Sequence, residues 1–312
     1  MTDNSFSARS IRNALSKILA DPRLGWGVLL LVSQAPLLLH IGYGHDFIMH
    51  YQRRTLTGEY GVSTWLPYYG YWFIFPFAVL PPPFSLVVWN IANAIGLGVL
   101  ARYWKVNLLL PALSFPVLYM FGNGQIAGLM AFGVYLGLAA NLWLAGLGLV
   151  ILSIKPQITL LVAVYILWRR FHWKLLVVPL LIFAASLAYW GFWLPEWFSA
   201  LKNASGGLSG TAWNASGFPW GILALPALWK FRRTPQAWLA MQPLIVPYYA
   251  IYSLALPFMA GISWWVWLLG WAVTLIYVRG GYTPLWAVVV LGLLWQLFRR
   301  NETADASSLV QD

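Results

Sequence analysis

There is no cysteine in this sequence and very little negative charge. Without thiols, neither disulfides nor thiolate metal ligands are available. Charged residues make up 9% of the chain and hydrophobic ones 61%, with a mean hydropathy of +0.70, whereas soluble domains are roughly one-quarter charged. A soluble domain is thereby excluded, and the chain reads as an integral membrane protein. Strand-like alternation of period two is also missing, which argues for a helical bundle over a barrel. Between Gly25 and Arg300 the carboxylates are only Asp46, Glu59 and Glu196. Hard cations want several oxygens, usually including carboxylates, so no metal and no other cofactor is expected.

What is there is apolar sequence in short runs. Apolar stretches recur from about residue 24 to residue 298, many shorter than the ~20 residues a simple span needs. The expected fold is an all-α polytopic membrane protein with roughly ten to twelve membrane segments, several tilted or broken at proline. Residues 1–23 are polar and basic without a cleavage-like site, and read as a cytoplasmic start with the first span as an uncleaved anchor. Residues 24–300 read as a single transmembrane domain. Residues 301–312 read as a disordered cytoplasmic tail.

The formal charge of +11 does not point to nucleic acid, because fourteen of the nineteen Lys and Arg fall in five clusters. These are Arg9/Arg12/Lys17/Arg23, Arg102/Lys105, Arg169/Arg170/Lys174, Lys230/Arg232/Arg233 and Arg299/Arg300. Placing every cluster on the cytoplasmic side pairs the spans off in twos and puts both termini inside. Arg53, Arg54, Lys155, Lys202 and Arg279 are then left on the external side or in the membrane, and they are the informative cations.

On this topology three kinds of segment reach the external face. The first is a loop over residues 42–83 holding His45, Asp46, His50, Arg53, Arg54 and Glu59. It continues into the aromatic run Tyr68–Phe73 and ends at Pro81-Pro82-Pro83, and it reads as short interfacial helices. The second kind is two tight turns, Gly122-Asn123-Gly124-Gln125 and Ser153–Gln157, set between apolar half-spans. Polar backbone at that depth has to line a cavity or be buried in protein. The third is a Gly/Ser/Asn/Trp flap over residues 195–219, with Asn-Ala-Ser-Gly at Asn203 and again at Asn214. Trp65, Trp213 and Trp220, in or beside these loops, are candidate sugar contacts; most other Trp and Tyr read as interfacial belt residues.

Two readings are open for each scarce polar group. Asp46 is a good N-cap for a helix from Phe47, or a base whose carboxylate, at a low-dielectric interface, is suited to proton abstraction. Lys155 either snorkels to the interface or, where a buried cation costs ~2.5–3.5 kcal/mol, meets an anion. Pro156, just after it, breaks the helix and frees backbone groups; Gln157 and the matching Gln125 would give a polar pocket at one depth. Arg53 and Arg54 are solvated, or hold a lipid-linked phosphate. His45 is an interfacial residue or a catalyst, and so is His50, four residues after Asp46 along one helical face.

One base with nearby cations and no second carboxylate close by suits transfer from a sugar phosphate. Glycoside hydrolysis generally needs two carboxylates. A phosphate leaves as a stable anion, Lys or Arg balances its charge, and one base deprotonates the acceptor hydroxyl. Direct attack inverts the anomeric carbon. The competing class is a lipid or solute transporter with Asp46 and Lys155 on its path, although no inverted repeat is evident.

The order of motifs resembles a known family. It comprises Asp46 after the first span, the Tyr68–Pro83 aromatic/proline stretch, Trp89-Asn90, Gly124-Gln125, and Ala145-Gly146 leading to Ile154-Lys155-Pro156-Gln157 and the basic Trp168-Arg169-Arg170. This resembles glycosyltransferase family 87, the polyprenyl-phosphate-mannose-dependent alpha-1,2-mannosyltransferase group of the GT-C superfamily. The likeness runs over about residues 25–175 and more weakly over Pro247–Leu254. It implies a GT-C-type bundle with Asp46 as catalytic base in the first external loop, and a cavity open to the outer face and to lipid. It also implies a donor sugar, mannose, on a polyprenyl monophosphate. Lys155, Arg53 and Arg54 are then expected at the donor phosphate, and His45, His50, Gln125, Gln157, Asn123 and Tyr252 in substrate binding. The expected partners are that donor, a lipid- or glycan-linked acceptor and membrane lipids, in a prokaryotic plasma membrane. Where relatives tend to have Tyr-Asp, this chain has Tyr252-Ser253.

Overall fold

The computed structural model describes residues 17–19, 21–40, 44–59, 66–208, 214–278 and 285–309. Among the described residues the chain is helical with no strand, the one isolated bridge pairing Asn214 with Ala250. The all-α architecture expected of this composition is therefore the one observed.

Helix α1, Pro22–Leu38, opens on Asp21, whose carboxylate caps the Arg23 amide at 2.9 Å, with proline in the first turn where its missing N–H costs nothing. After it, Phe47–Gln52 winds as a π-helix (α2) and runs directly into Arg53–Thr57 (α3), which stops at Gly58 with φ 70°. Helix α4 is Gly70–Ala78. The long central helix α5, Phe84–Tyr103, has 20 residues, a rise of about 30 Å at 1.5 Å each. It matches the thickness of a bilayer core.

Next come a short α6, Leu109–Ala112, then α7, Phe115–Asn123, and α8, Ala127–Ala139, which meet at 111° across Gly124-Gln125-Ile126. Helices α9, Leu142–Ser153, and α10, Pro156–Arg170, meet at Ile154-Lys155. Helix α11, Lys174–Trp190, and α12, Leu194–Leu208, follow. A 3-10 turn at Trp220–Ala224, α13 (Ala227–Lys230) and α14 (Pro235–Ile245) lead to a second 3-10 turn, Ile251–Leu254. Helices α15 (Ala255–Phe258), α16 (Trp264–Val278) and α17 (Trp286–Leu309) complete the order.

Among the described residues, by length and composition α5 alone is a simple span, and the bent pairs α7–α8 and α11–α12 qualify if each counts as one. The expected ten to twelve segments thus resolve into shorter pieces. Proline inside α1, α4, α11 and α14 and the glycine turns supply the breaks. Residues 301–309 continue α17. No Gly or Pro interrupts Asn301–Leu309, so an already nucleated helix propagates through it.

Packing depends on small residues. Gly96 of α5 and Gly128 of α8 face each other so closely that a Cβ on either would run into backbone of the other helix. Asn93 of α5 then reaches over to accept from the Leu129 amide at 3.1 Å. In α10 an amide from α14 is spliced into the backbone ladder: Gln242 accepts from the Leu161 N–H at 2.7 Å and donates to the Gln157 carbonyl at 3.0 Å. Those two groups would otherwise bond each other as an i to i−4 pair.

The aromatic run of the first loop is not laid out on a surface. Tyr68, Tyr69 and Tyr71 are buried. Tyr68 stacks on Trp193 at 5.2 Å and donates to Glu196 at 2.5 Å, and Trp72 stacks on Trp190 at 5.0 Å. The run is therefore interior packing against the end of α11 and the start of α12, where rings bury more apolar area than an interface would.

Candidate active site

The scarce polar residues meet where α2, the α7–α8 bend and the α9–α10 junction converge. Gly44 donates to the Gly122 carbonyl at 2.8 Å, which lays the start of α2 against the bend. Gly124 has φ 67°, and a Cβ there would strike Phe47. Only glycine suits both the left-handed backbone and the close approach. The Gly124 carbonyl accepts from Trp89 of α5 at 2.7 Å, and Phe47 stacks on the same indole at 5.0 Å.

Gln125 is the hub. Its side-chain N–H donates to Asp46 Oδ2, and its Oε1 accepts from Lys155 Nζ at 2.9 Å and from the Tyr51 hydroxyl at 3.1 Å. Three segments far apart in sequence are thus joined as carboxylate, amide and ammonium. Gln125 and Lys155 are buried, at 2% and 5% exposure, while the Asp46 side chain keeps 24%. Lys155 faces the ring of Tyr252 at 5.2 Å, and Tyr252 shares a hydrogen bond with Tyr248. Asp46 lies within electrostatic reach of Tyr51, Tyr248, Tyr252 and Lys155.

This geometry decides several of the paired readings. Asp46 sits at the N-cap position of α2, but its side chain makes no capping bond. The carboxylate is turned to Gln125 instead. Lys155 is buried on Gln125 rather than reaching out to the interface. Pro156 does not break a continuous helix; it occupies the first turn of α10 with Lys155 as N-cap residue. The Lys155 carbonyl accepts from Ile158 N–H at 3.0 Å and Thr159 Oγ1 at 3.1 Å, so the backbone there is satisfied.

Around Asp46 lie two imidazoles. His45 Nδ1 is 3.3 Å from Asp46 Oδ1, with the His45 side chain 63% exposed. His50 is half-buried, its ring edge-on to His45 at 5.7 Å. Burial holds its pKa below the ordinary 6.5; Asp46 opposes that, while Arg54 and His45 add to it. Neutral imidazole is the favoured form at neutral pH. Arg54 therefore borders the site, whereas Arg53 is exposed.

Other expected members are placed differently. Asn123 turns back to its own helix, donating to the Tyr119 carbonyl at 2.9 Å. Gln157 contributes its carbonyl to Gln242 of α14 and is not joined to Gln125. Ser253 is buried with its carbonyl accepting from Tyr249 at 3.1 Å. Trp220 is 79% exposed, and Trp65 and Trp213 lie outside the described residues. Tyr51, Tyr248 and Trp89's support of the Gly124 carbonyl were not singled out from sequence. Tyr51 had a signal, being five residues after Asp46 in the same helix. A cavity of about 830 Å³ lined by Trp104, Lys105, Arg233 and Arg300 lies by the C-terminal end of α5 and takes none of these residues.

A strongly apolar chain, helical over its described residues, that brings one carboxylate, one amide and one buried ammonium together defines a membrane protein with a polar site. Comparison with known families supplies the rest. The model of glycosyltransferase family 87 matches residues 67–310, more than three-quarters of the chain, and the chain belongs to that family. It is a membrane glycosyltransferase, and the transporter alternative gives way. Comparisons with curated proteins and with solved structures returned no match. The matched stretch includes Gln125, Lys155 and Tyr252 but begins after Asp46, which joins them through its bond with Gln125.

Proposed function

We propose that this glycosyltransferase moves a sugar, mannose, from a polyprenyl-phosphate donor to a hydroxyl of a lipid- or glycan-linked acceptor. The reaction inverts the anomeric carbon, needs no metal, and takes place at the external face of a prokaryotic plasma membrane that a GT-C-type bundle crosses several times. Asp46 is the base and Lys155 the group that holds the donor phosphate. The observation that carries the reading is the Asp46–Gln125–Lys155 chain of hydrogen bonds.

A buried ammonium with no carboxylate in salt-bridge contact among the described residues is costly. An anionic ligand offsets that cost. Gln125 takes one of the three N–H donors of Lys155, and among the described residues the others have no acceptor. They are free for phosphate oxygens. As the acceptor oxygen bonds to the anomeric carbon, the carbon–oxygen bond to phosphate breaks and its electron pair leaves with polyprenyl phosphate. Lys155 balances that charge. The acceptor proton passes to Asp46, which Gln125 holds by Oδ2, and the acceptor approaches Oδ1 beside His45 Nδ1. Arg54, beside His50, supports the phosphate end, and Tyr252 forms an aromatic wall beside Lys155.

The test is transfer of label from radiolabelled polyprenyl-phosphate mannose into a membrane lipid and glycan extract by purified protein in lipid. Asp46→Asn is expected to lower transfer by about 10²–10⁴-fold, the usual contribution of a general base, while retaining donor binding. Lys155→Ala is expected to abolish that binding. Transfer at the wild-type rate by Asp46→Asn would remove Asp46 from the chemistry.

A further inference from the structure

We propose that His45, Asp46 and His50 form a binding site for a zinc-class divalent ion, and that filling it inhibits the enzyme by taking Asp46 away from the acceptor. The second half rests on the reading of Asp46 as base; the first half does not.

One ligand atom from each residue falls within 4.8 Å of the others. In a tetrahedral zinc site with bonds of about 2.0–2.1 Å, donor atoms stand about 3.3 Å apart. His45 Nδ1 and Asp46 Oδ1 already have that separation, 3.3 Å. His50 stands close by, its ring edge-on to that of His45 at 5.7 Å.

His45 lies just before the π-helical residues 47–52 that carry His50, and the two rings meet edge-on at 5.7 Å beside the Asp46 carboxylate. His50 also carries a buried Nδ1 with no hydrogen-bond partner.

The donor set names the ion. Two imidazoles and one carboxylate suit zinc, cobalt, nickel or copper, not magnesium or calcium, which want oxygen. Three protein ligands leave a fourth position open to water. Asp46 Oδ2 stays on Gln125 while Oδ1 goes to the metal, so neither oxygen remains for an acceptor hydroxyl. The proposed transfer then proceeds without metal and stops with it.

The experiment uses the full chain purified in lipid nanodiscs after chelation. Cobalt(II) is added and its visible absorption recorded, since tetrahedral cobalt absorbs strongly where octahedral aqueous cobalt does not. A saturable band, competed by zinc and not by magnesium, is expected for wild type and lost in His45→Ala and His50→Ala. Zinc is expected to inhibit transfer, with the half-inhibitory concentration rising at least tenfold in each variant relative to its own metal-free rate. His45 is mostly exposed, so that variant keeps the test valid if His50→Ala fails to fold. No band in wild type, or a band indifferent to both histidines, overturns the site. A histidine-dependent band with undiminished transfer at saturating zinc overturns the inhibition and, with it, Asp46 as base.

Discussion

Replacing Gln125 with leucine isolates the hub's contribution. The side chain is buried at 2% exposure and makes three hydrogen bonds, two of them to charged groups. Bonds to charged groups contribute about 1.5–3 kcal/mol each and a neutral one about 1 kcal/mol. Leucine returns about 1.5–3 kcal/mol through apolar burial. The net loss is about 3 kcal/mol, which at ~2–4 °C per kcal/mol lowers the apparent Tm by at least about 6 °C. Thermal unfolding in one detergent at a fixed scan rate measures it. Most of the loss comes from stranding the Lys155 ammonium without its one acceptor, because breaking one side of a buried polar pair costs more than removing both. Gln125→Leu/Lys155→Met is therefore expected to recover at least half of the lost Tm while remaining inactive. A double variant no more stable than Gln125→Leu alone would refute the claim that Lys155 depends on Gln125.

Two further outcomes follow from packing. Gly128→Ala is expected to overpack α5 against α8 and cost about 1–3 kcal/mol or more, seen as a lower Tm or loss of folded yield, whereas Gly27→Ala, inside α1 with nothing within 4 Å of the added carbon, is expected to raise Tm slightly, by the ~0.5–1 kcal/mol that alanine gains over glycine in a helix. Gln242→Leu removes the amide spliced into α10 and is expected to lower Tm by several degrees and also weaken donor binding; a fall in Tm with donor affinity unaltered would confine Gln242 to a structural role.

Composition alone made the helical membrane class legible, because no soluble or barrel protein carries this pattern. Scarcity did the same for the site: Asp46, Gln125 and Lys155 stood out as rare polar groups beside apolar runs, and they meet. What sequence spacing did not convey was direction. Asn123 and Gln157 stand in the same turns as site residues, yet the first bonds its own helix and the second gives up only a carbonyl. Which way a side chain points is set by helix phase and by partners remote in sequence. The π winding of α2 was equally hidden, since a one-residue change of ladder leaves hydropathy untouched, and the buried tyrosines of the first loop looked the same as interfacial ones.

The spliced amide of Gln242 divides ownership of the site between the two ends of the chain. Asp46, Gln125 and their glycine turns all belong to the first 130 residues. Lys155 begins α10, and the ladder step from Leu161 to Gln157, one turn further on, is routed through a side chain of α14. The first turn of α10 is thereby tied to the C-terminal half as well as to its own helix, and that half also contributes Tyr252. The spacing of the Asp46 carboxylate and the Lys155 ammonium thus rests both on Gln125, bonded to each, and on how α14 docks on α10.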